Sequence, residues 1–476
     1  MTCSLRRTVS ECFYRFVDLF THSLNLPRER ARTFRGVNSR ARIDLLALLQ
    51  RWLIAVVVFD VPFHCDVNLA YDEFHASLNA IGGLQVSVTS FALVGLYSIW
   101  ALQLLLRRSW SPSMSFGKIS CWPLIYVGAS IASVVYAANR QLAIFEVVLL
   151  VQTLLLYIFI IKKCTAARDI AFLVYVIIAS LFLQACLILS SFVLGETLVL
   201  GPWTVWLEQQ RAGGTVGSPN TAGSFIQLSL APCLCAAISV KKGWLRTVGG
   251  VTCLLGLAAL LLTFSRGAWL ATVVSFVGFL GLMGLRGWLP RKVSVFISIC
   301  GAVLAVVSCG LVIDRLGSEE AASVGGRWVM VRLASEILHE NAVLGVGANN
   351  YAVVMEDYIR YPVYAGQWLH TVHNKFLLVW CELGLLGLLG FVGFLGYSLA
   401  CGYRVWRARD PVLSPIALAF SCGIIGQSVH MQLDLFHARP QVQLLWIACA
   451  ILVGLDNIVR RQGAACLDSA RERRFT

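Results

Sequence analysis

Charged side chains are scarce in this sequence. Only 13% of its 476 residues are Asp, Glu, Lys or Arg, whereas 58% are hydrophobic. Soluble globular proteins carry roughly 25% charged residues, so the composition argues against a soluble protein. Period-two alternation of apolar and polar residues is also missing, which argues against an outer-membrane barrel. Backbone groups in lipid must be satisfied within the protein, so the apolar runs are predicted to be helices.

Motifs for metal ions are missing as well. The chain has no Asp-x-Asp motif, no CxxC pair and no clustered His/Cys spacing, so we predict no metal site and no cofactor. Its sixteen cysteines lie almost entirely within apolar runs or in predicted cytoplasmic segments. Cysteine in such places behaves as a small hydrophobic residue. The cysteines are therefore not a disulfide framework.

The chain does contain apolar runs near the ~20 residues that span the hydrocarbon core of a bilayer. They lie at approximately 45–60, 84–105, 119–137, 142–161, 170–194, 222–240, 247–264, 267–285, 293–313, 376–400, 413–433 and 441–457. The sequence thus predicts an all-α, polytopic integral membrane protein with about twelve transmembrane helices.

Lys and Arg concentrate in every second connection between these runs. With the N-terminal tail placed in the cytoplasm, inner segments hold 29 of the 39 basic residues, outer segments hold nine, and Arg51 lies within the first run. This bias predicts cytoplasmic N- and C-termini. The net charge of +14 follows mostly from it. Basic residues spread over every inner loop fit anionic membrane lipids, and we predict no nucleic-acid partner.

This topology divides the chain into three parts. Residues 1–44 form a basic cytoplasmic tail, residues 45–457 the transmembrane domain, and residues 458–476 a second basic tail. Two outer segments, 195–221 and 314–375, are too long for simple turns. Long loops in compact proteins are usually functional or disordered.

The larger outer segment, between the ninth and tenth predicted helices, has its own pattern. Residues 327–339 (RWVMVRLASEILH) carry apolar residues at helical spacing and predict an amphipathic helix on the membrane surface. The turn-rich GVGANNY follows at 345–351. Aromatic residues favour an ordered lid in this segment; they are Trp328, Tyr358, Tyr361, Tyr364 and Trp368.

Four motifs in this order resemble one family. They are RAGGTVGSPNTAG from residue 211, FSRGAWL at 264–270, GGRWVMVRLASEILHENAVLGVGANNY at 325–351 and HNKFLLVWCELGLLGLLG at 373–390. Together they resemble the bacterial O-antigen ligase and O-antigen polymerase superfamily. The resemblance spans about residues 211–390. The predicted helix number and the single large periplasmic loop agree with it.

The resemblance implies a metal-independent glycosyltransferase of the bacterial inner membrane. Such enzymes move a glycan from undecaprenyl pyrophosphate to an acceptor hydroxyl at the periplasmic face. The acceptor is another glycan, lipid A-core or a protein, and the motifs leave open which of these it is. Ligation, polymerisation and protein glycosylation share the same class of donor. The resemblance therefore implies the donor class and not the acceptor.

The resemblance also assigns roles to residues. Arg211 and Arg266 match arginines that bind the pyrophosphate. Arg327 matches the arginine that opens the surface helix and is a substrate-binding candidate. His373 matches the catalytic histidine. Independently of the family, guanidinium groups can stabilise a departing diphosphate without a metal ion, and the pKa of histidine suits a general base near pH 7.

Three further polar residues, in or beside the motifs, complete the predicted site as substrate-binding candidates. Asn220 lies in the first motif and Asn374 follows His373. His370 stands three residues before His373 and competes with it for the catalytic role. Asn374 and the following Glu-Leu-Gly segment fix a register that favours His373.

Some of the charged residues can be explained without any catalytic role, and the whole chain also has alternative functions. Outer arginines often extend to lipid headgroups without any chemical role, and we expect this for Arg315, Arg332, Arg360 and Arg439. Glu382, within the tenth run, is predicted to partner an arginine or a helix end. The chain as a whole could also be a transporter or flippase for an anionic glycolipid, or a non-catalytic polysaccharide-assembly protein.

Overall fold

A computed structural model describes most of the chain. The residues outside the description are 1–38, 64–65, 107–119, 209, 240–242, 290–291, 293–294, 296–320, 360–369 and 476. For residues 39–44, 106, 321–327, 359 and 465–475 only the backbone is described. The predicted N-terminal tail, the predicted ninth span and the aromatic residues Tyr361, Tyr364 and Trp368 therefore lie almost or entirely outside the described residues.

The chain divides into two units. The first comprises residues 1–48, of which the structure describes a short helical stretch from Ser39. The second comprises residues 49–476 and holds all the sites discussed below.

Helices make up most of the described chain. In chain order they are α1 Ser39–Phe59, α2 Glu73–Ser77, α3 Val88–Leu106, α4 Trp122–Ser133, α5 Arg140–Lys163, α6 Ala167–Leu194, α7 Pro219–Ser239, α8 Trp244–Leu262, α9 Arg266–Leu285, α10 Ala321–Asn341, α11 Tyr351–Ile359, α12 Lys375–Arg407, α13 Leu413–His430 and α14 Arg439–Phe475.

Within the described residues, nine helices are long and apolar enough to cross a membrane. They belong to α3, α5 to α9 and α12 to α14. Two shorter apolar helices, Leu45–Phe59 and Trp122–Ser133, coincide with the first and third predicted runs. The predicted run at 293–313 lies outside the description. The all-α membrane fold is confirmed, while the number twelve stays a prediction.

Short strands occur in two places. In the first, β1 (Val67–Leu69) lies in the predicted outer segment 62–83 and pairs antiparallel with β2 (Leu84–Val86), at the start of the second predicted run. In the second, β3 (Leu198–Leu200), β4 (Trp203–Glu208) and β5 (Arg211–Gly214) form an antiparallel three-stranded sheet. The sequence analysis did not predict these strands, because each is only three to six residues long.

The predicted outer segments meet at one end of the helix bundle. Thr215 Oγ1 donates to the Pro62 carbonyl at 2.6 Å, and Thr371 Oγ1 donates to the Leu78 carbonyl at 2.8 Å. Each bond joins two segments that are distant in sequence but predicted to lie on the same side. The structure thus brings these segments together, and their periplasmic position stays a prediction.

Predicted inner residues meet at the other ends of the same helices. Arg404 and Arg460 both bind Asp456, each at 2.9 Å. The Arg286 guanidinium lies 3.9 Å from the centre of the Trp406 ring. This separation of outer and inner residues is what alternating spans require.

Helix α10 contains the predicted amphipathic segment. Its apolar face is buried within the protein, where Leu333, Ala334 and Ile337 are completely buried and pack with residues of α11 and α12. The helix is confirmed, but this face contacts protein and not the membrane surface. Trp328, by contrast, is 71% exposed.

Helix α12 is interrupted at Gly384, whose φ of 64° and ψ of −166° are not helical. The segment after α10 fills the break. Val346 N donates to the Cys381 carbonyl and Gly347 N to the Glu382 carbonyl, both at 2.8 Å. Backbone groups freed by the break are therefore satisfied by protein. A side chain at Gly384 would collide with the Val343 carbonyl, at 2.1 Å from its Cβ.

Candidate functional site

Arg211 begins strand β5 and reaches the two helices that follow it in sequence. Its Nε donates to the Thr263 carbonyl at 3.4 Å, and its Nη2 donates to Asn220 Oδ1 at 3.3 Å. Asn220 lies in the first turn of α7, and Thr263 lies just before α9. Arg211 is half-buried. The structure therefore brings two predicted site residues into direct contact and places them beside the segment that carries Arg266.

The turn before α9 positions Arg266. Phe264 adopts a φ of 49°, a conformation that is uncommon for a bulky residue, and Thr263 Oγ1 accepts from Ser265 N at 3.2 Å. Arg266 then opens α9 with an exposed side chain. The strained turn thus directs the Thr263 carbonyl towards Arg211 and starts the helix at Arg266.

The first turns of α7 and α9 lie in close contact. A Cβ placed on Gly223 would lie 2.8 Å from Ala268 Cβ and 3.1 Å from Ser265 Cβ. Only glycine permits this approach. Two helix N-termini, each with partial positive charge, therefore lie close together. The Arg211 guanidinium binds residues beside both of them, and Arg266 begins α9. Such a set of donors favours a polyvalent anion.

His373 lies in the connection before α12. Its Nδ1 is 3.1 Å from the Thr371 carbonyl, which can only accept, so Nδ1 carries the proton in this hydrogen bond. In the neutral ring Nε2 then holds the lone pair. Thr371 is fixed in turn by two hydrogen bonds to the Leu78 carbonyl, from its N and its Oγ1. This tautomer is the one that a general base requires at Nε2.

His370 and Asn374 flank His373 with different roles. His370 is half-buried, and this burial lowers the pKa of its imidazole. Asn374 is the N-cap of α12, because its Oδ1 accepts from Phe376 N and Leu377 N at 3.0 and 3.1 Å. The structure assigns Asn374 to fixing the start of α12 next to His373. Contact of either residue with substrate stays a prediction.

Residues 430–432, at the end of α13, connect the two halves of the site. The His430 ring lies against α9, where a Cβ on Gly267 would be 2.7 Å from His430 Cδ2. Gln432 Oε1 accepts from Asn374 Nδ2 at 2.9 Å. Three consecutive residues span about 7 Å. The Arg266 region and the His373 region therefore lie on two sides of one short segment, which sequence reasoning missed.

Arg327 lies in α10, but its side chain is outside the described residues. Its predicted substrate contact therefore stays a prediction. Of the predicted site residues, the structure thus describes side chains for two groups, Arg211, Asn220 and Arg266 on one side and His370, His373 and Asn374 on the other.

Two charged residues outside the predicted site, Arg439 and Glu382, have partners that can be compared with expectation. Arg439, expected at the lipid headgroups, is 1% exposed and binds Asp66 at 2.6 Å and Asp60 at 3.4 Å, so that expectation is wrong. Glu382 is buried and accepts from Tyr351 N at 3.2 Å, which confirms its predicted role at a helix end. Neither set of partners is close in sequence, so no local pattern could have identified them.

The part of the chain with described side chains holds no group of three or more His, Cys, Asp or Glu residues placed to bind a metal ion. The guanidinium groups of Arg211 and Arg266 are instead hydrogen-bond donors, which suit an anionic group.

Residues 251–392 match the family model described as O-antigen ligase. This match confirms the resemblance to the O-antigen ligase and polymerase superfamily that the motifs indicated. It includes Arg266, Arg327 and His373, while Arg211 and Asn220 precede it. No curated protein matches the chain.

Proposed function

We propose that this membrane protein, with its O-antigen ligase domain, transfers a glycan from undecaprenyl pyrophosphate to an acceptor hydroxyl at the periplasmic face. The observation that carries the proposal is the contact of Arg211 with Asn220 and the Thr263 carbonyl. This contact holds the Arg211 guanidinium beside the start of α9, and Arg266 is the first residue of that helix. A site of this kind favours a diphosphate.

The reaction breaks the bond between the sugar C1 and a phosphate oxygen and forms a bond between C1 and the acceptor oxygen. The departing diphosphate keeps the electron pair of the broken bond. Arg211 and Arg266 stabilise this developing charge, and preorganised donors need no reorganisation during the step. The acceptor hydroxyl gives its proton to His373 Nε2, whose lone pair is set by the hydrogen bond from Nδ1 to Thr371.

The lipid part of such a donor agrees with the surroundings of the site. The described residues contain nine candidate membrane spans, and the exposed Phe264 stands between Thr263 and Arg266 in the sequence. A diphosphate at the outer ends of these helices would leave its polyprenyl chain in the lipid phase. The excess of basic residues in the other set of connections supports the periplasmic side for this end.

The break in helix α12 helps to distinguish an enzyme from a transporter. Transporters often bind substrate at such breaks, with exposed backbone groups as ligands. Here segment 343–347 occupies the break, and Leu385 N donates to the Val343 carbonyl at 3.2 Å. The break therefore closes on protein, which favours the enzyme over the transporter.

The experiment is glycan transfer by the purified protein in lipid nanodiscs, with an undecaprenyl-pyrophosphate-linked oligosaccharide as donor. Arg211→Ala and Arg266→Ala should each lower the rate by about 10²–10³, and His373→Ala by about 10²–10⁴. Lys at either arginine position should restore little, because an ammonium lacks the guanidinium fork.

Arg332→Ala is the matched control. Arg332 is an exposed arginine of α10 that pairs only loosely with Glu336, at 3.4 Å, so its loss should leave transfer unchanged. Equal losses in the control and the site variants, or full activity of both arginine variants, would contradict the proposal. Full activity of His373→Ala with loss in His370→Ala would move the base to His370.

A further inference from the structure

A group of buried and half-buried ionisable side chains lies next to the candidate site. It consists of Glu146 from α5, Lys375 and Glu382 from α12, and His437 from the connection 431–438. All four line one small, partly open cavity with room for about one water molecule. The proposed reaction leaves this group without a role.

Two carboxylates in this group face a single ammonium. Lys375 Nζ lies 3.9 Å from Glu146 Oε1, and the two side chains are only 5% and 7% exposed. Glu382, which is 5% exposed, accepts from Tyr351 N at 3.2 Å. One ammonium balances one carboxylate, so among the described residues the second carboxylate leaves the cavity with one uncompensated negative charge.

Ionisable residues are costly at such depth and usually mark functional sites in membrane proteins. A buried carboxylate without a counter-ion is strongly unfavourable. Binding of one proton removes the excess charge of the cavity and needs no additional space. The composition of the cavity therefore fits a proton as its ligand.

His437 borders this cavity and also interacts electrostatically with His373, Lys375 and Asp434. Its Nδ1 is buried and has no hydrogen-bond partner among the described residues. Burial, with a smaller contribution from the Lys375 ammonium, lowers the pKa of His437 to about 4. His437 is thus neutral at physiological pH, and a neutral imidazole has one nitrogen to accept a proton and one to donate it.

We propose that Glu146, Lys375 and Glu382 form a proton-binding site that exchanges protons with His373 through His437. This inference rests on the proposed function of His373. The acceptor hydroxyl gives its proton to His373 Nε2, and the resulting imidazolium then loses it towards His437 and the cavity. The cavity releases its resident proton to water at the outer end, so its charge is the same before and after each turnover.

Infrared spectroscopy tests the resident proton directly. A buried protonated carboxylic acid has a carbonyl stretch that shifts when hydrogen is replaced by deuterium. The purified wild type should show this band at neutral pH, and Glu146→Gln or Glu382→Gln should remove it. Glu336→Gln, which neutralises a carboxylate on the surface of α10, should retain it and is the matched control.

Lys375→Met should change the infrared band in the opposite direction. Without its ammonium the cavity has two uncompensated carboxylates, so a second proton should bind and the infrared band should grow. Circular dichroism would establish that each variant keeps its helices. A band that persists in both glutamine variants, or that fails to grow in Lys375→Met, would overturn the proposal.

The pH dependence of transfer tests the link to His373. In Glu382→Gln and His437→Phe, kcat should fall by about a hundredfold, the lower end of the range for a proton-transfer group, and its pH profile should move from that of the wild type. Reduced kcat with an unchanged pH profile would indicate a structural role and overturn the link. Full activity of His373→Ala would contradict the proposed base, whereas the infrared result would still decide whether the cavity holds a proton.

Discussion

Arg439 Nε donates to Asp66 Oδ2 at 2.6 Å, and the arginine side chain is 1% exposed. The same guanidinium also binds Asp60 Oδ2 and the Phe63 carbonyl. One side chain at the start of α14 therefore holds the end of α1 and the segment that follows it. This connection fixes the outer segment 62–83, whose Leu78 carbonyl anchors Thr371 near His373.

Arg439→Ala should destabilise the protein strongly. Removal of the guanidinium leaves Asp60 and Asp66 buried without their counter-ion, and breaking a buried pair in this way costs about 3–5 kcal/mol. The measurement is thermal unfolding of the purified protein in detergent. Arg332→Ala, which removes an exposed arginine, should leave the melting temperature close to that of the wild type. An unchanged melting temperature for Arg439→Ala would show that the pair does not stabilise the fold.

Gly223→Val should impair transfer more than it impairs insertion into the membrane. The added side chain would lie within 3.1 Å of Ala268 and Ser265 and force the first turns of α7 and α9 apart. Asn220 and Arg266 would then separate, and a displacement of about 1 Å can cost 10²-fold in rate. Transfer per folded molecule is the measurement.

Gly250→Val, in helix α8, is the control for this substitution. A Cβ at Gly250 meets only Ala237 Cβ at 3.9 Å, an ordinary contact. Comparable losses of transfer in both variants would mean that the close approach of α7 and α9 is not needed for catalysis.

Asn374→Ala and Asn374→Asp together should distinguish the N-capping role of Asn374 from a contact with substrate. Loss of an N-cap costs about 0.5–2 kcal/mol, so the melting temperature should fall. Asn374→Asp keeps an oxygen that can accept from Phe376 N and Leu377 N and should restore stability. If Asn374→Asp restores stability but not transfer, the side-chain amide itself contributes to the reaction.

His437 should make stability depend on pH. Its pKa is about 4 in the folded protein and 6.5 for an ordinary histidine, so between these values the unfolded chain binds more protons. The contribution of His437 to the free energy of unfolding is therefore fully present above about pH 6.5. It is lost as the pH falls towards 4. The melting-temperature difference between wild type and His437→Gln should shrink over this range. A constant difference would mean that the pKa of His437 is not lowered on folding.

Local patterns predicted most of the fold and only part of the site. Hydropathy located the spans, because every stretch of a lipid-facing helix must be apolar by itself. The motifs predicted a role for Arg211 and Arg266, and the structure places Arg211 beside the segment that carries Arg266. Partners distant in sequence could not be predicted in this way. Arg439 was misinterpreted because Asp60 precedes it by 379 residues. Lys375 and Glu146 looked unremarkable until α5 and α12 brought them together.

Removal of metal ions should leave transfer intact. The site near Arg211 presents guanidinium donors and two helix N-termini, and these can take the position that a divalent cation holds in other diphosphate-dependent transferases. Transfer by the purified protein should therefore keep its rate in EDTA. The arginine variants supply the internal control, since added magnesium should not rescue Arg211→Ala. A rate that falls in EDTA and returns with magnesium or manganese would show that a metal ion, and not the arginines, stabilises the leaving diphosphate.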